Sequence, residues 1–441
     1  MQEKTGLFPA WLKFGHKSEK EKMTLQRKLA LRRLHKPNYP IYRLLTFAVV
    51  KLMFEKKFGV TYTYKVNPKE FKAPFIVVGN HSSRLDYVFS SLAFLPHSLN
   101  YVAGYNEFFR SHLAFIFRLM QAIPKKNFVG DTYTIREIRR VAADGGNIIL
   151  FPEGMSSISG SNQPCAIASG KLLKHLGLPV LRIGISGGYL TSTKYCLDER
   201  PGRVDVEVDL LFTPEQLAAL SEQDIQSQLD RAIRHDDYEW NKTARVRFDG
   251  KGQMAKNLHD MLYWCPRCGT EFAMKGEGNK IVCTKCGNGA ELNEYYDLIP
   301  LDDGCVIPGT PRVWWDMQRD LARELVRDGS FVLREHVKLG TLPKYRYLKN
   351  QQTSEITGEG ELTLDQDGLH FEGTRDGAPF SFSIDAKCLP TYGMCTDMSR
   401  FYTFIDGEFL EFFPDGRSVA KWLLTTEENH RRAGGLWKDF S

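Results

Sequence analysis

Three textures of hydrophobic and polar positions succeed one another along the chain. Between residues 60 and 212, short apolar runs alternate with stretches of helical period, the pattern of an α/β domain. The run Phe75-Ile-Val-Val, bounded by Pro74 and Gly79, predicts a buried strand, and residues 87–95 predict a helix. Residues 110–120 read as helix and 121–127 as a short strand or turn. Residues 132–144 form an amphipathic helix closed by Gly145-Gly146, and 147–150 a buried strand. A helix over 166–176 ends at Gly177, a strand and turn follow from Pro179, and residues 203–212 alternate as a half-exposed strand near a sheet edge. Residues 214–238 read as helix with charged faces.

Before this region the texture is basic and amphipathic. Leu25, Leu29 and Leu34 fall near one helical face with cations between them, and Trp11 and Phe14 stand amid lysines. Residues 41–58 are more apolar but interrupted by Lys51, too short and too charged to cross a bilayer. They suit an interfacial helix, and equally a helix packed on the protein's own core. After the α/β region, residues 239–262 connect to a cysteine module, and 311–334 read as a helix carrying Trp314 and Trp315. From about residue 344, short alternating strands are separated by Asp367-Gly368, Asp376-Gly377, Asp406-Gly407 and Asp415-Gly416, which is hairpin grammar. A closing helix spans 418–432. This predicts a small β-sandwich or barrel, with an order of elements that resembles a PH- or GRAM-like fold. The expected organisation is 1–58 membrane-associating, 59–250 α/β, 255–300 cysteine module, 301–343 helical linker and 344–441 β-rich.

Charge sharpens this division. Of the net +6, residues 1–58 hold 14 Lys/Arg against 4 Asp/Glu, which leaves the rest of the chain slightly acidic. A basic, amphipathic end on a near-neutral body points to an anionic partner, a phospholipid surface before nucleic acid. No apolar run of 18 residues predicts a spanning helix, and no export signal is visible in the N-terminal residues. The expectation is a reduced, cytoplasmic protein lying peripherally on the inner face of a membrane.

Candidate chemistry begins where the first buried strand ends. Gly79-Asn-His-Ser-Ser-Arg-Leu-Asp86 places His81 at a strand's carboxyl end and Asp86 near the first turn of a helix, the crevice where open α/β sheets bind ligands. A histidine can take a proton near neutral pH, and a carboxylate behind it fixes its tautomer. The same residues also read as a satisfied strand end and a helix cap. Phe151-Pro-Glu-Gly follows a second buried strand and should share that rim. Glu153 there could accept hydrogen bonds from a polyol, Gly154 lets a substrate approach, and the serine-rich run from Ser156 offers donors for a phosphate. No GxSxG elbow occurs.

The pair of motifs, NH-x4-D followed by FPEG about 70 residues later, resembles the glycerolipid acyltransferase superfamily, the lysophosphatidic acid acyltransferases. The resemblance covers roughly residues 60–215. It implies transfer of an acyl group from acyl-CoA or acyl-carrier protein to the hydroxyl of a lysophospholipid such as 1-acylglycerol 3-phosphate. His81 would be the general base, Asp86 its orienting partner, and Glu153 and Gly154 acceptor-binding residues. Where the family usually has a phosphate-binding arginine, this chain has Ile123-Pro-Lys-Lys-Asn. Where it has Thr-Arg after Glu-Gly, this chain has Met155-Ser156, and Arg182 stands where a second proline is usual. Arg84, Lys125, Lys126 and Arg182 are therefore the candidate cations for the acceptor. The changed cations leave room for another acceptor, and for a catalytically silent lipid- or protein-binding scaffold.

Cys265-x2-Cys268 and Cys283-x2-Cys286, each followed by a glycine, have the spacing of a four-thiolate Zn²⁺ site, with iron the lesser alternative. The stretch resembles a zinc ribbon, and a closed four-thiolate site is structural. Its cations are balanced by Glu271, Glu277 and Glu291, so a spacer or docking role is expected in preference to nucleic-acid binding.

Overall fold

The structure is a computed structural model, which describes residues 23–166, 168–349 and 352–436. Trp11 and Phe14 lie outside the described residues. Three sheets organise the chain. The first contains β1 (Val60–Tyr64), β2 (Ile76–Gly79), β3 (Leu99–Gly104), β4 (Ile123–Lys125), β5 (Asn147–Leu150), β6 (Val180–Ser186) and β7 (Val204–Phe212), in the order β1-β7-β6-β2-β5-β3-β4. All neighbours are parallel except β6 and β7. The strands β2 and β5, apolar but for Asn147 at the start of β5, are central and fully buried, as their continuous runs require. β7 alternates as expected, but the edge beside it is taken by β1, which the sequence pattern did not reveal.

Apolar cores cover both faces of this sheet. One is built with α5 (Thr132–Ala143), α6 (Ser169–Leu176), α8 (Pro214–Ala219) and α9 (Glu222–Ala232). The other receives α3 (Asp86–Ser91) and the segment before β1. In that segment α2 (Tyr39–Leu45) continues as π-helical turns over Thr46–Glu55. Tyr42, Thr46 and Val50 are buried at a spacing of four, and Phe54 and Phe58 continue the row, stacked at 5.9 Å. Leu44, Phe47, Leu52 and Met53 point outward and are exposed. Among the described residues no helix is long and apolar enough to cross a membrane.

The second sheet is a small antiparallel ribbon of β8 (Met274–Glu277), β9 (Lys280–Cys283), β10 (Gly289–Leu292) and β11 (Leu298–Pro300). The third holds β12 (Val332–Thr341), β13 (Glu355–Asp365), β14 (Gly368–Arg375), β15 (Ala378–Asp385), β16 (Gly393–Met394), β17 (Phe401–Ile405) and β18 (Glu408–Pro414), in the order β15-β14-β13-β12-β18-β17-β16. This is a four-strand meander joined to a three-strand meander through β12 and β18. Its apolar core takes in α11 (Pro311–Val326) and α12 (Val419–Arg432), with Trp314, Trp315 and Trp422 buried.

Several expectations need correction. The helix expected over 214–238 is broken at Leu220-Ser221 and again before Asp236, because Ser221 and Asp236 each cap a new helix; the last of these is α10 (Asp237–Ala244). The helix expected over 311–334 stops at Val326, and residues 332–341 of the expected linker form β12, a central strand of the third sheet. That sheet is an open one, since the end strands β15 and β16 do not pair. Asp376-Gly377 and Asp406-Gly407 make two-residue hairpins with both residues at positive φ, but Asp415-Gly416 leads from β18 to α12. Nor are all described residues of the basic N-terminal segment free to face a membrane. Leu25 and Leu29 on α1 (Leu25–Ala30) are buried in a cluster with Phe108, Phe109, Leu342 and Leu348, and Leu34 packs under the first sheet.

Candidate active site

β2 and β5 run side by side and in parallel, so the segments that follow them emerge on one rim. Asn80 fixes the first of these. Its side-chain amide donates to the Ile185 carbonyl and its oxygen accepts from the Ile185 amide, both at 2.8 Å, which pins the strand end to β6. The chain then turns into α3, and the turn brings Asp86 back to His81. His81 Nδ1 lies 2.7 Å from Asp86 Oδ2. Asp86 Oδ1 accepts from Ser82 Oγ at 2.5 Å and from the Ser83 amide at 3.0 Å. The carboxylate is buried and held by its own turn. Asp86 is the first residue of α3 and not its cap, and its second oxygen holds the histidine. The imidazole is about one-quarter exposed and stacks on Phe151 at 4.7 Å. Among the described residues Nε2 has no hydrogen-bond partner, so this nitrogen is open to a substrate.

The Phe-Pro-Glu-Gly turn supports that ring from below. Glu153 is only 1% exposed, and both of its oxygens are occupied. Oε1 accepts from the His81 amide at 2.6 Å and from Asn162 Nδ2 at 3.2 Å; Oε2 accepts from the Gln163 amide at 2.7 Å. Burial pushes its carboxyl up to about 8 against the pull of these donors. Glu153 is therefore committed to the His81, Asn162 and Gln163 groups, and the expectation that its carboxylate accepts hydrogen bonds from a polyol is corrected: it is buried beneath the histidine. The serine-rich run is also spent internally. The Ser157 amide donates to the His81 carbonyl at 2.7 Å, and Ser157 Oγ donates to the Ser161 carbonyl at 2.6 Å. Gly154 adopts φ +73°, a left-handed conformation that favours glycine, and its pro-Cβ position lies 4.0 Å from Lys125 Nζ.

The expected cations divide. Lys125 is beside Gly154, and burial lowers its pKa. Arg84 sits in the turn between His81 and Asp86 but donates to the Leu197 carbonyl at 2.7 Å. Lys126 is withdrawn from the site. Its ammonium donates to the Gly407 carbonyl in the β17–β18 hairpin and lies over Tyr105 and Phe404. Arg182 is committed as well, to Glu207 and the Ala232 carbonyl, each at 2.7 Å.

Two features escaped the sequence reading. His235 Nε2 lies 2.6 Å from Asp237 Oδ1, and this second pair lines the same small cavity as Asn80, His81 and Glu153. Lys194 is buried and donates to Ser156 Oγ at 3.2 Å. No local spacing marks either one. His235 stands inside a stretch read as helix, and the stretch that holds Lys194, between the turn at Gly187-Gly188 and the strand from residue 203, carries no predicted element.

Away from this rim, the four cysteine sulfurs converge. Cys265 and Cys286 Sγ are 3.7 Å apart, Cys268 and Cys283 Sγ are 3.8 Å apart, and all four lie within 4.8 Å of one another. The Gly269 and Gly287 amides each donate back to the first cysteine carbonyl of their knuckle, with φ +69° and +76°. Such a cluster could hold a metal ion.

Residues 59–186 match the family model described as Acyltransferase, a stretch that holds both the His81–Asp86 turn and the Glu153 turn. Among solved structures the chain is similar to the 1-acyl-sn-glycerophosphate (LPA) acyltransferase PlsC from Thermotoga maritima. The two are 19% identical with a TM-score of 0.37, over 46% of this chain and 81% of that one. No curated protein matches the chain significantly.

Proposed function

We propose that this protein transfers a fatty acyl group from acyl-CoA or acyl-carrier protein to the hydroxyl of a lysophospholipid such as 1-acylglycerol 3-phosphate. The observation that carries the reading is the His81–Asp86 pair, with Nδ1 held at 2.7 Å by a buried carboxylate and Nε2 open. His81 Nε2 takes the proton from the acceptor hydroxyl as its oxygen attacks the thioester carbonyl. Asp86 stabilises the imidazolium that forms. Collapse of the tetrahedral intermediate breaks the C–S bond, and the thiolate leaves with that proton. The products are an ester and a free thiol, and no protein nucleophile is consumed. An assay of acyl transfer to a panel of lysolipids tests this. Equal transfer by the wild type and His81→Ala would overturn the mechanism, and liposome binding without turnover on any acceptor would favour the silent scaffold.

The exposed row of Leu44, Phe47, Leu52 and Met53, with Lys51 beside it, supports peripheral attachment to a phospholipid surface on the cytoplasmic side. Phe115 and Ile116 on α4 (Ser111–Leu119), a helix with no buried residue, would add to it. Co-sedimentation with anionic vesicles should weaken in Leu52→Asp. For the cysteine cluster, Zn²⁺ is the proposed occupant. Zn–S bonds of about 2.3 Å in a tetrahedron require sulfur–sulfur edges of about 3.8 Å, and the paired sulfurs stand at 3.7 and 3.8 Å. All four positions would be filled by thiolate, so its role would be structural. One zinc per chain by elemental analysis, lost in Cys283→Ser, is the expected result. The two meanders and closing helix of the third sheet support the PH/GRAM-like reading of the C-terminal region.

A further inference from the structure

Lys194 is a lysine whose burial has no evident structural return. It is 5% exposed, and Ser156 Oγ is the one hydrogen-bond acceptor its three donors find among the described residues. No carboxylate lies within 4.0 Å of it there. A buried ammonium is costly unless paired, so such a residue is a candidate for binding something the protein itself does not supply.

Its surroundings place it at the site. Ser156 is two residues beyond Gly154 and directly precedes Ser157, whose amide holds the His81 carbonyl. Arg84, from the turn between His81 and Asp86, is close enough to act on the Lys194 charge. Cys395, Glu107 and Asp397 also act on it, the first and last from the loop between β16 and β17. Each acid is already engaged: Glu107 with Arg110 at 2.8 Å, and Asp397 with the Cys395 thiol at 2.7 Å and Ser399 Oγ at 2.6 Å. Burial pushes the Lys194 pKa down to about 8, as expected of an ammonium with no ion pair.

We propose that Lys194, oriented by Ser156 Oγ, anchors an oxyanion on the acyl acceptor, with the Cys395–Asp397 loop of the C-terminal sheet in its electrostatic surroundings. A single ammonium presents a point charge, suited to one oxygen of a phosphate monoester or a carboxylate. Lys194 then selects acceptors with a compact anionic headgroup. The assignment to an acceptor rests on the acyl-transfer reading, whereas oxyanion binding does not.

The test is calorimetric titration of the full chain with sn-glycerol 3-phosphate, with glycerate and with glycerol. Binding of at least one of the two anionic probes, no binding of glycerol, and a loss of at least tenfold in Lys194→Met with partial retention in Lys194→Arg are expected. The stronger of the two anions identifies the headgroup. Ser156→Ala, which frees the ammonium but keeps its charge, should weaken binding about threefold. The thermal midpoint of each variant checks folding. Equal anion binding by Lys194→Met, or none by the wild type, overturns the proposal. Lys194-dependent binding in a protein without acyl transfer would keep the subsite and remove the function. In the active enzyme Lys194→Met should raise KM for an anionic acceptor at least tenfold and change kcat much less; equal losses in both would mark a merely structural lysine.

Discussion

Two histidine–aspartate pairs face one small cavity, and they are built for different ends. In the first, Asp86 draws its hydrogen bonds from Ser82 and Ser83 of its own turn and turns its second oxygen to His81. In the second, Asp237 holds the backbone. Oδ1 accepts from the Gly187 amide at 2.6 Å and Oδ2 from the Tyr189 amide at 2.7 Å, around the short helix α7 (Gly188–Thr191), with His235 sharing Oδ1. The first carboxylate orients a ring whose Nε2 has no hydrogen-bond partner among the described residues, whereas the second fastens a loop. Asn162 connects them, since it donates to Glu153 and to the Ile233 carbonyl and accepts from the His235 amide. A His–Asp distance under 3 Å is thus no sign of catalysis by itself. What the carboxylate's other oxygen does, and which nitrogen stays open, separates the two.

The sharpest test of this contrast is His81→Ala. Loss of a general base should lower kcat by about 10²–10⁴-fold with little change in thermal midpoint. His235→Ala should cut turnover by less than tenfold, and comparable losses would erase the distinction. Next in size is Asp237→Ala. It leaves two buried amides unsatisfied and should cost about 2–5 kcal/mol of unfolding free energy in urea, while the folded fraction stays active. If Asp237→Ala leaves stability intact and abolishes turnover, the roles are reversed. Glu153→Gln sets an amide against N–H donors and should cost about 1–3 kcal/mol, with kcat reduced through a displaced His81 backbone.

The smallest effect expected is pH-dependent. The folded-state pKa of Lys194 is lowered to about 8, so its ammonium fraction falls as pH rises through that value. KM for an anionic acceptor should climb several-fold between pH 7 and 9. The stability sign is opposite: the buried ammonium costs stability below pH 8, and the cost is relieved as pH rises from there toward the unfolded value near 10.4. Lys194→Met should flatten both trends.

The difference between the two pairs also explains what could be read in advance. His81 and Asp86 are five residues apart in one turn after an all-apolar strand, so spacing alone brings them together. The paired cysteines are equally local. His235 reaches Asp237 only because the chain breaks between α9 and α10, and a window of charged helical residues hides that break. Lys194 follows α7 and meets Ser156, from the loop after β5, across 38 residues of sequence. Even Glu153, correctly placed on the rim, had its direction set by Asn162 and Gln163 in a loop with no periodicity. The Asp-Gly turns announced the hairpins, whereas β1 and β12 were missed because β1 directly follows the amphipathic segment before it and because the Asp328-Gly329-Ser330 turn that ends α11 was read through as helix.

The cluster that joins Leu25, Leu29, Phe108, Phe109 and Ala122 to Leu342, Leu348, Tyr402, Phe404 and Phe409 has a consequence for modularity. These residues come from the N-terminal helix, the α/β domain and the C-terminal sheet, yet they form one apolar interior. The Lys126 contact with Gly407 closes over it. A fragment ending near residue 250 would lay half of that interior bare. The stretch that matches a known family is therefore not a detachable cassette: its foldability is shared with parts of the chain that lie outside the match.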